Sequence, residues 1–307
     1  MSLLLVLGCI FGEGGVLGGG KEGGGPDILP HPDPNAVYYV YRGADGEDME
    51  SVSDPAELCG GADFLGILSG ASACQESGQH GVLNIISDKK GRIWPDDLDN
   101  EADLCPSGWE YRGGNGWTAT CVSSQSAHAA MLYYNAAGDY YEDTDKAGDI
   151  CPSGSTWQGN SYYGAPLCVY DGWGAVLSMA NAVDGTAFSE ADGNGPEVCG
   201  AWEYVGSWYG WAQCRVTEGT VIVLYRNMKE ATFDGDNGNR ICPDGWDYSG
   251  SYYGYALCWS AEKRAQVSLY VGASGKEYSG DLGDVDGICP DGWTAMGDVG
   301  GTLVCVQ

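Results

Sequence analysis

Basic residues are scarce. Lys and Arg number 14 against 43 acids, a formal net charge of −29. Nucleic acid is therefore a poor partner, because binding it needs clustered cations that displace counterions. Anionic lipid headgroups are excluded on the same ground. Histidine is scarcer still, with His31, His80 and His128 alone. A hydrolase triad needs a positioned His, and His31 lies in a linker while the other two stand between repeats. Gly-x-Ser-x-Gly, His-Glu-x-x-His and phosphate-loop motifs are lacking, and nothing points to a redox or nucleotide cofactor. No apolar run approaches the ~20 residues that span a bilayer as a helix.

Cysteine, by contrast, is plentiful and ordered. Twelve of the thirteen fall into six pairs: Cys59 and Cys74, Cys105 and Cys121, Cys151 and Cys168, Cys199 and Cys214, Cys242 and Cys258, Cys289 and Cys305. Members of a pair are 15 to 17 positions apart, and successive pairs begin 46, 46, 48, 43 and 47 residues apart. Zinc sites need Cys-x2-4-Cys spacing or nearby histidines, so the pattern indicates one disulfide per repeat in an oxidising compartment. The approximate repeats are 36–80, 81–127, 128–172, 173–218, 219–263 and 264–307.

Residues 1–9 form a short apolar segment, and 10–35 are rich in Gly and Pro, the composition of a flexible tether. The stretch Val6-Leu7-Gly8-Cys9 resembles the lipobox of bacterial lipoproteins. That resemblance implies acylation of Cys9, the one cysteine without a repeat partner. It departs from the pattern in having no Lys or Arg before the apolar run and a short run. The chain then touches a membrane only through its N-terminal lipid, and is exported to the cell surface, the periplasm or the medium.

Each repeat opens with a β-branched or aromatic segment such as AVYYVY (36–41) or TVIVLYR (220–226), followed by a turn such as Asp45-Gly46. The fifth repeat has Met228-Lys229 instead, without glycine. This half predicts a β-hairpin. In the second half, Trp246-Asp247-Tyr248 predicts a short strand, Ser249-Gly250-Ser251 a turn, and Tyr255–Trp259 the return strand, with the two cysteines clamping the open ends of the hairpin. Four short strands in about 46 residues, six times over, predict an all-β six-bladed propeller. The alternative is an open linear array of the same units.

Two features suggest ligands. Acidic loops precede the first cysteine of each pair, as in DTDKAGDIC (143–151) and DGDNGNRIC (234–242). Their alternate carboxylates resemble calcium loops in part, without the closing Glu of the EF-hand. They make calcium the implied cofactor, best at Asp143, Asp145, Asp149, Asp234 and Asp236. Aromatic bends recur nearer the second cysteine and offer Trp117, Tyr162, Tyr163, Trp208, Tyr209, Tyr252 and Tyr253. Such rings stack on the apolar faces of sugars, and one site per blade gives multivalent binding. The plan is similar to that of propeller lectins. The Cys-Pro-x-Gly-Trp opening resembles the first hairpin of C-type lectin domains, although the second cysteine comes too late for that fold. Acids that follow the repeat, rather than break it, argue against an enzyme. Two functions follow: a non-catalytic surface protein that binds a glycan or a surface protein, or a structural subunit of an extracellular fibre, coat or envelope complex.

Overall fold

The computed structural model describes residues 36–307 except 77–80, 94–95, 116–117, 142–146, 162–164, 173, 236 and 263–264. Six small antiparallel sheets form a closed ring, a six-bladed β-propeller. In blade 1 the opening strand Ala36–Val40 pairs with the return strand Ala71–Glu76, which pairs with the middle strand Asp63–Leu68. The same order holds in the other blades, for example Ala175–Met179, Trp211–Val216 and Glu203–Trp208 in blade 4. These strands are rich in β-branched and aromatic residues, which suit a pleated, buried surface.

The fourth position of every sheet is filled by the preceding repeat. Arg42–Gly43, the tail of the first opening strand, pairs with the middle strand of blade 2, and Val271–Gly272 of the sixth repeat pairs with that of blade 1. Tyr134–Asn135 and Arg226–Asn227 do the same for blades 4 and 6, while Ser87 and Asn181 supply single bridges to blades 3 and 5. The opening strand of repeat 1 also lies against all three strands of blade 2. The open-array alternative is thereby excluded. Repeat 6 meets repeat 1 through Val271–Gly272, through Ser268 donating its backbone N–H to the Tyr39 hydroxyl at 3.1 Å, and through Gln75 donating to Gln307 at 3.1 Å.

This strand exchange corrects the expected first hairpin. The turns form, with Gly46, Gly91, Gly138, Gly185 and Gly275 at φ between 75° and 91°. Glu230 takes the same left-handed place in the fifth repeat, at φ 63°. Past the turn, however, the returning arm makes one bridge per repeat, such as Arg42 with Asp48. The opening strand has by then committed its hydrogen bonds to its own return strand and to the next blade.

A second correction concerns Ser249-Gly250-Ser251, which is no turn. It is a β-bulge inside the strand Asp247–Tyr252, and every blade has one at the same place. Gly66, Gly113, Gly159, Gly206, Gly250 and Gly297 occupy it at φ between 120° and 148°. The residue after each glycine accepts the N–H of the incoming tail, as Ser207 does from Tyr133 at 2.9 Å. A Cβ on these glycines would lie 2.2 to 2.5 Å from a carbonyl oxygen of that tail, Tyr134 O in the case of Gly206.

All six disulfides form within repeats. The second cysteine of each is buried in the return strand. The first lies ahead of the middle strand, in or next to a short helical turn such as Pro55–Cys59 or Gly195–Cys199. The bridge therefore pins a loop onto the blade rather than closing the mouth of a hairpin, because a short turn, Pro-x-Gly in four of the six repeats, separates that cysteine from the strand. Each closed loop contributes about 3 kcal/mol in the chain-entropy picture.

The core lies between blades. Val37, Leu65 and Ala73 of blade 1 pack with Val267, Leu269 and Leu303 of blade 6, and Leu83 and Ile85 of blade 2 pack with Ala129 and Val169 of blade 3. Blades 3 and 4 share an additional polar join. His128, 1% exposed, stacks on Tyr170 with ring centroids 5.2 Å apart. Its Nδ1 meets Gly172 O at 2.9 Å, and its Nε2 accepts from Arg215 Nε at 3.0 Å. Arg215 also lies over the Tyr170 ring and pairs with Glu203. Burial, aided by the Arg215 charge, pushes His128 down to about 4. Among the described residues no helix is long and apolar enough to cross a membrane.

Two outcomes follow. Gly206→Ala, whose new methyl meets Tyr134 O at 2.2 Å, lowers stability by about 3 kcal/mol in denaturant titration. Gly210→Ala, with open space around it, loses about 1 kcal/mol, and equal losses would refute the steric account. The His128 group is depressed on folding, so its stabilising contribution is complete above pH ~6.5 and is lost as pH falls towards about 4. From pH 6.5 to 5, where few carboxylates titrate, this amounts to about 1.5 kcal/mol, and His128→Gln removes that slope.

Candidate functional site

The middle and return strands of each blade meet at a hairpin tip. In blades 4 and 5 the loops are Tyr209-Gly210 and Tyr253-Gly254, flanked by the pairs Trp208 with Trp211 and Tyr252 with Tyr255. Both loop residues have positive φ, 53° and 81° in the first and 46° and 84° in the second. That is the signature of a type I′ turn, which matches strand twist but favours Asn-Gly or Gly-Gly. Blade 1 uses Ser69-Gly70 and blade 6 Gly300-Gly301 at the same position. A tyrosine there is strained by about 1–2 kcal/mol. Neither ring recovers this by burial: Tyr209 is 64% exposed and Tyr253 60%. Strained residues of this kind cluster at ligand clamps and active sites.

These rings belong to a continuous belt contributed by repeats 3 to 5. Tyr209 lies 6.4 Å from Tyr133, which stacks on Tyr141 at 5.6 Å, and Tyr140 meets Tyr134 at 5.0 Å. On the other side Tyr209 and Tyr253 both meet Trp211, at 5.8 and 6.0 Å, and Tyr252 packs edge-on against it at 4.9 Å. With Trp208, which meets Trp211 at 5.5 Å, the belt is nine rings linked in a chain of contacts, with hydroxyls at the tyrosine ends. Its chemistry suits ligands that have flat apolar faces and polar rims.

The expected aromatic residues therefore divide. Tyr209 and Tyr253 stand out from the surface, whereas Trp208 is buried and Tyr252 half-buried as the strand pairs that hold the tips. Trp117, Tyr162 and Tyr163 lie outside the described residues, as does Cys9. Sequence reasoning missed Tyr133, Tyr134, Tyr140, Tyr141 and Trp211. The Tyr-Tyr doublets on either side of the Ala137-Gly138 turn were the available signal.

Of the proposed calcium ligands, Asp143, Asp145 and Asp236 lie outside the described residues. Asp149 and Asp234 are exposed. The Asp234 carboxylate accepts the Asn237 backbone N–H at 3.2 Å, an ordinary loop cap. Among the described residues no three His, Cys, Asp or Glu side chains gather closely enough to hold a metal ion.

No family model, no curated protein and no solved structure matches the chain.

Asparagine tolerates the left-handed region, so Tyr209→Asn and Tyr253→Asn test what the rings are for. Each leaves the unfolding midpoint unchanged or raises stability by up to about 1 kcal/mol. A loss above about 1 kcal/mol, as expected for removing core packing, would make the rings structural.

Proposed function

We propose that this chain is a non-catalytic, exported glycan-binding propeller, held at a cell surface by an acylated Cys9. The observation that carries the reading is the pair of strained, exposed tyrosines, Tyr209 and Tyr253, at the centre of the nine-ring belt. A folding constraint does not ask for a bulky residue in a left-handed turn and then leave it in water. A ligand with apolar ring faces does, because two such faces stacked on tyrosines repay the strain with about 0.5–1.5 kcal/mol each. Belt length supports a polymeric ligand, since contiguous rings from three repeats let several sugar units bind at once and convert weak single contacts into avidity. Six intrachain disulfides support export, since such bridges persist in oxidising compartments.

The test is a glycan array probed with the intact chain, followed by titration of the best oligosaccharide. The double variant Tyr209→Asn/Tyr253→Asn weakens that binding at least tenfold, the equivalent of ~1.4 kcal/mol, while melting as the parent does. Retained affinity in the double variant, or no glycan bound by the parent, overturns the reading. Ordered polymers of the purified chain in negative stain would favour the structural-subunit function instead.

A further inference from the structure

The space between blades 5 and 6 differs from the one between blades 4 and 5. Between blades 4 and 5, the tip residues Tyr252 and Tyr253 lie against Trp211 and fill the gap between neighbouring hairpins. Between blades 5 and 6 the corresponding tip is Gly300-Gly301, which has no side chain to place there. An open cleft of about 390 Å³ results, lined by Tyr225, Arg226, Thr232, Tyr255, Asp298 and the two glycines. The Tyr225 and Tyr255 rings stand at 85° to one another with centroids 6.2 Å apart. The Tyr255 hydroxyl would lie 3.8 Å from a Cβ added at Gly300, so it faces the blade 6 tip across the cleft.

The floor is rigid and electrically closed. Arg226 donates from Nε to Asp298 at 3.1 Å, from Nη1 to Glu230 at 3.1 Å, and from Nη2 to the Tyr278 hydroxyl at 3.3 Å. Nη2 also bonds Gly280 O and Asp298, and Tyr278 donates to Asp298 at 2.9 Å. All three guanidinium nitrogens are thus engaged. An anionic ligand would find no unpaired cation here, and would meet the carboxylates of Glu230 and Asp298. What remains is two aromatic faces, the hydroxyl-bearing Thr232, and a volume at the lower end of the ~300–1,000 Å³ usual for ligand pockets.

We infer that the cleft between blades 5 and 6 is a binding site for one uncharged pyranose unit, separate from the aromatic belt. The inference rests on the reading of this chain as a glycan binder. It assigns the belt to extended chains and the cleft to a single sugar ring or a chain end, with the ring's apolar face on tyrosine and its hydroxyls towards Thr232 and the tyrosine hydroxyls.

Blades 4 and 5 provide the blocking variant. Gly300 has φ 56°, the conformation that Tyr209 and Tyr253 already occupy, so Gly300→Tyr copies a tip the fold accepts twice and closes the cleft over Tyr255. Binding of the methyl glycosides of glucose, galactose, mannose and N-acetylglucosamine, and of methyl glucuronide, is measured on the intact chain by saturation-transfer NMR and titration. At least one neutral glycoside binds. Gly300→Tyr and, independently, Tyr225→Ala weaken it at least tenfold, while Tyr209→Asn/Tyr253→Asn changes it less than twofold. The glucuronide binds at least tenfold more weakly. Should no monosaccharide bind while the array still gives belt-dependent oligosaccharide binding, the cleft assignment fails and the belt reading stands. Monosaccharide binding lost only in the belt variant, or glucuronide bound as well as glucoside, also overturns it. Silence from every glycan sinks both.

Discussion

A backbone carbonyl of one repeat lies 2.2 to 2.5 Å from the position a Cβ would occupy on the bulge residue of the next blade, six times around the ring. This contact can exist only over glycine. It decides more than the local strand geometry, because it is where each repeat hands its chain to its neighbour. The tail residue donates its N–H just past the glycine, and the following carbonyl packs over the bare Cα. Each blade is thereby completed by a strand it does not encode. A sheet whose edge comes from another repeat cannot be finished alone, so stability is shared between neighbours, as in other repeat proteins. In a closed ring the sharing has no end, and the sixth repeat supplies the first blade as the others supply theirs.

The disulfides solve a different problem. Each blade carries a loop between its opening and middle strands, acidic in most repeats but anchored by a few buried apolar residues such as Leu104, Ile150, Ile241 and Ile288. A buried half-cystine in the return strand fixes it close to its own sheet. Hydrophobic burial and backbone exchange hold the blades to one another, and the covalent bridges hold each loop to its blade. The polar joins are idiosyncratic by comparison. His128 with Arg215 serves blades 3 and 4, Arg42 with Glu101 serves repeat 1 and blade 2, and Arg226 with Asp298 serves repeat 5 and blade 6. Their variety shows that no particular side chain is needed at a join whose geometry the backbone already sets.

This separation explains what could be read in advance. The six cysteine pairs were legible because a disulfide is a fixed pairing of one residue type at a fixed separation, and repetition multiplied the signal. The blade count and the opening and return strands were legible for the same reason. Strand exchange was not. Arg42-Gly43 and Tyr134-Asn135 share no chemistry, since only their N–H and C=O groups engage the next blade. The bulge glycines were visible but ambiguous. Ser-Gly-Ser has turn composition, and only the approach of a second chain segment distinguishes a bulge from a turn. Glu230 misleads in the other direction, since it holds a left-handed position where the other repeats have glycine. Of the candidate site, the aromatic tips were legible as a repeated bend. Which rings face water was not, because Trp208 and Tyr209 are adjacent in sequence and opposite in fate, one flanking the turn and the other within it.

A ring joined through backbone leaves its hairpin tips free to differ. The tips of blades 1, 4, 5 and 6 share one turn geometry, yet hold Ser-Gly, Tyr-Gly, Tyr-Gly and Gly-Gly. Tyrosine is the costly choice on grounds of conformation and glycine the comfortable one. If folding alone had chosen, the two tyrosine tips would not exist. If surface aromatics were wanted everywhere, the Gly-Gly tip would not stand beside the exposed ring of Tyr225 and leave it uncovered. The two departures are opposite in sign and lie in adjoining blades. A six-fold structural device thus supports an asymmetric surface, and that asymmetry is where function is to be sought.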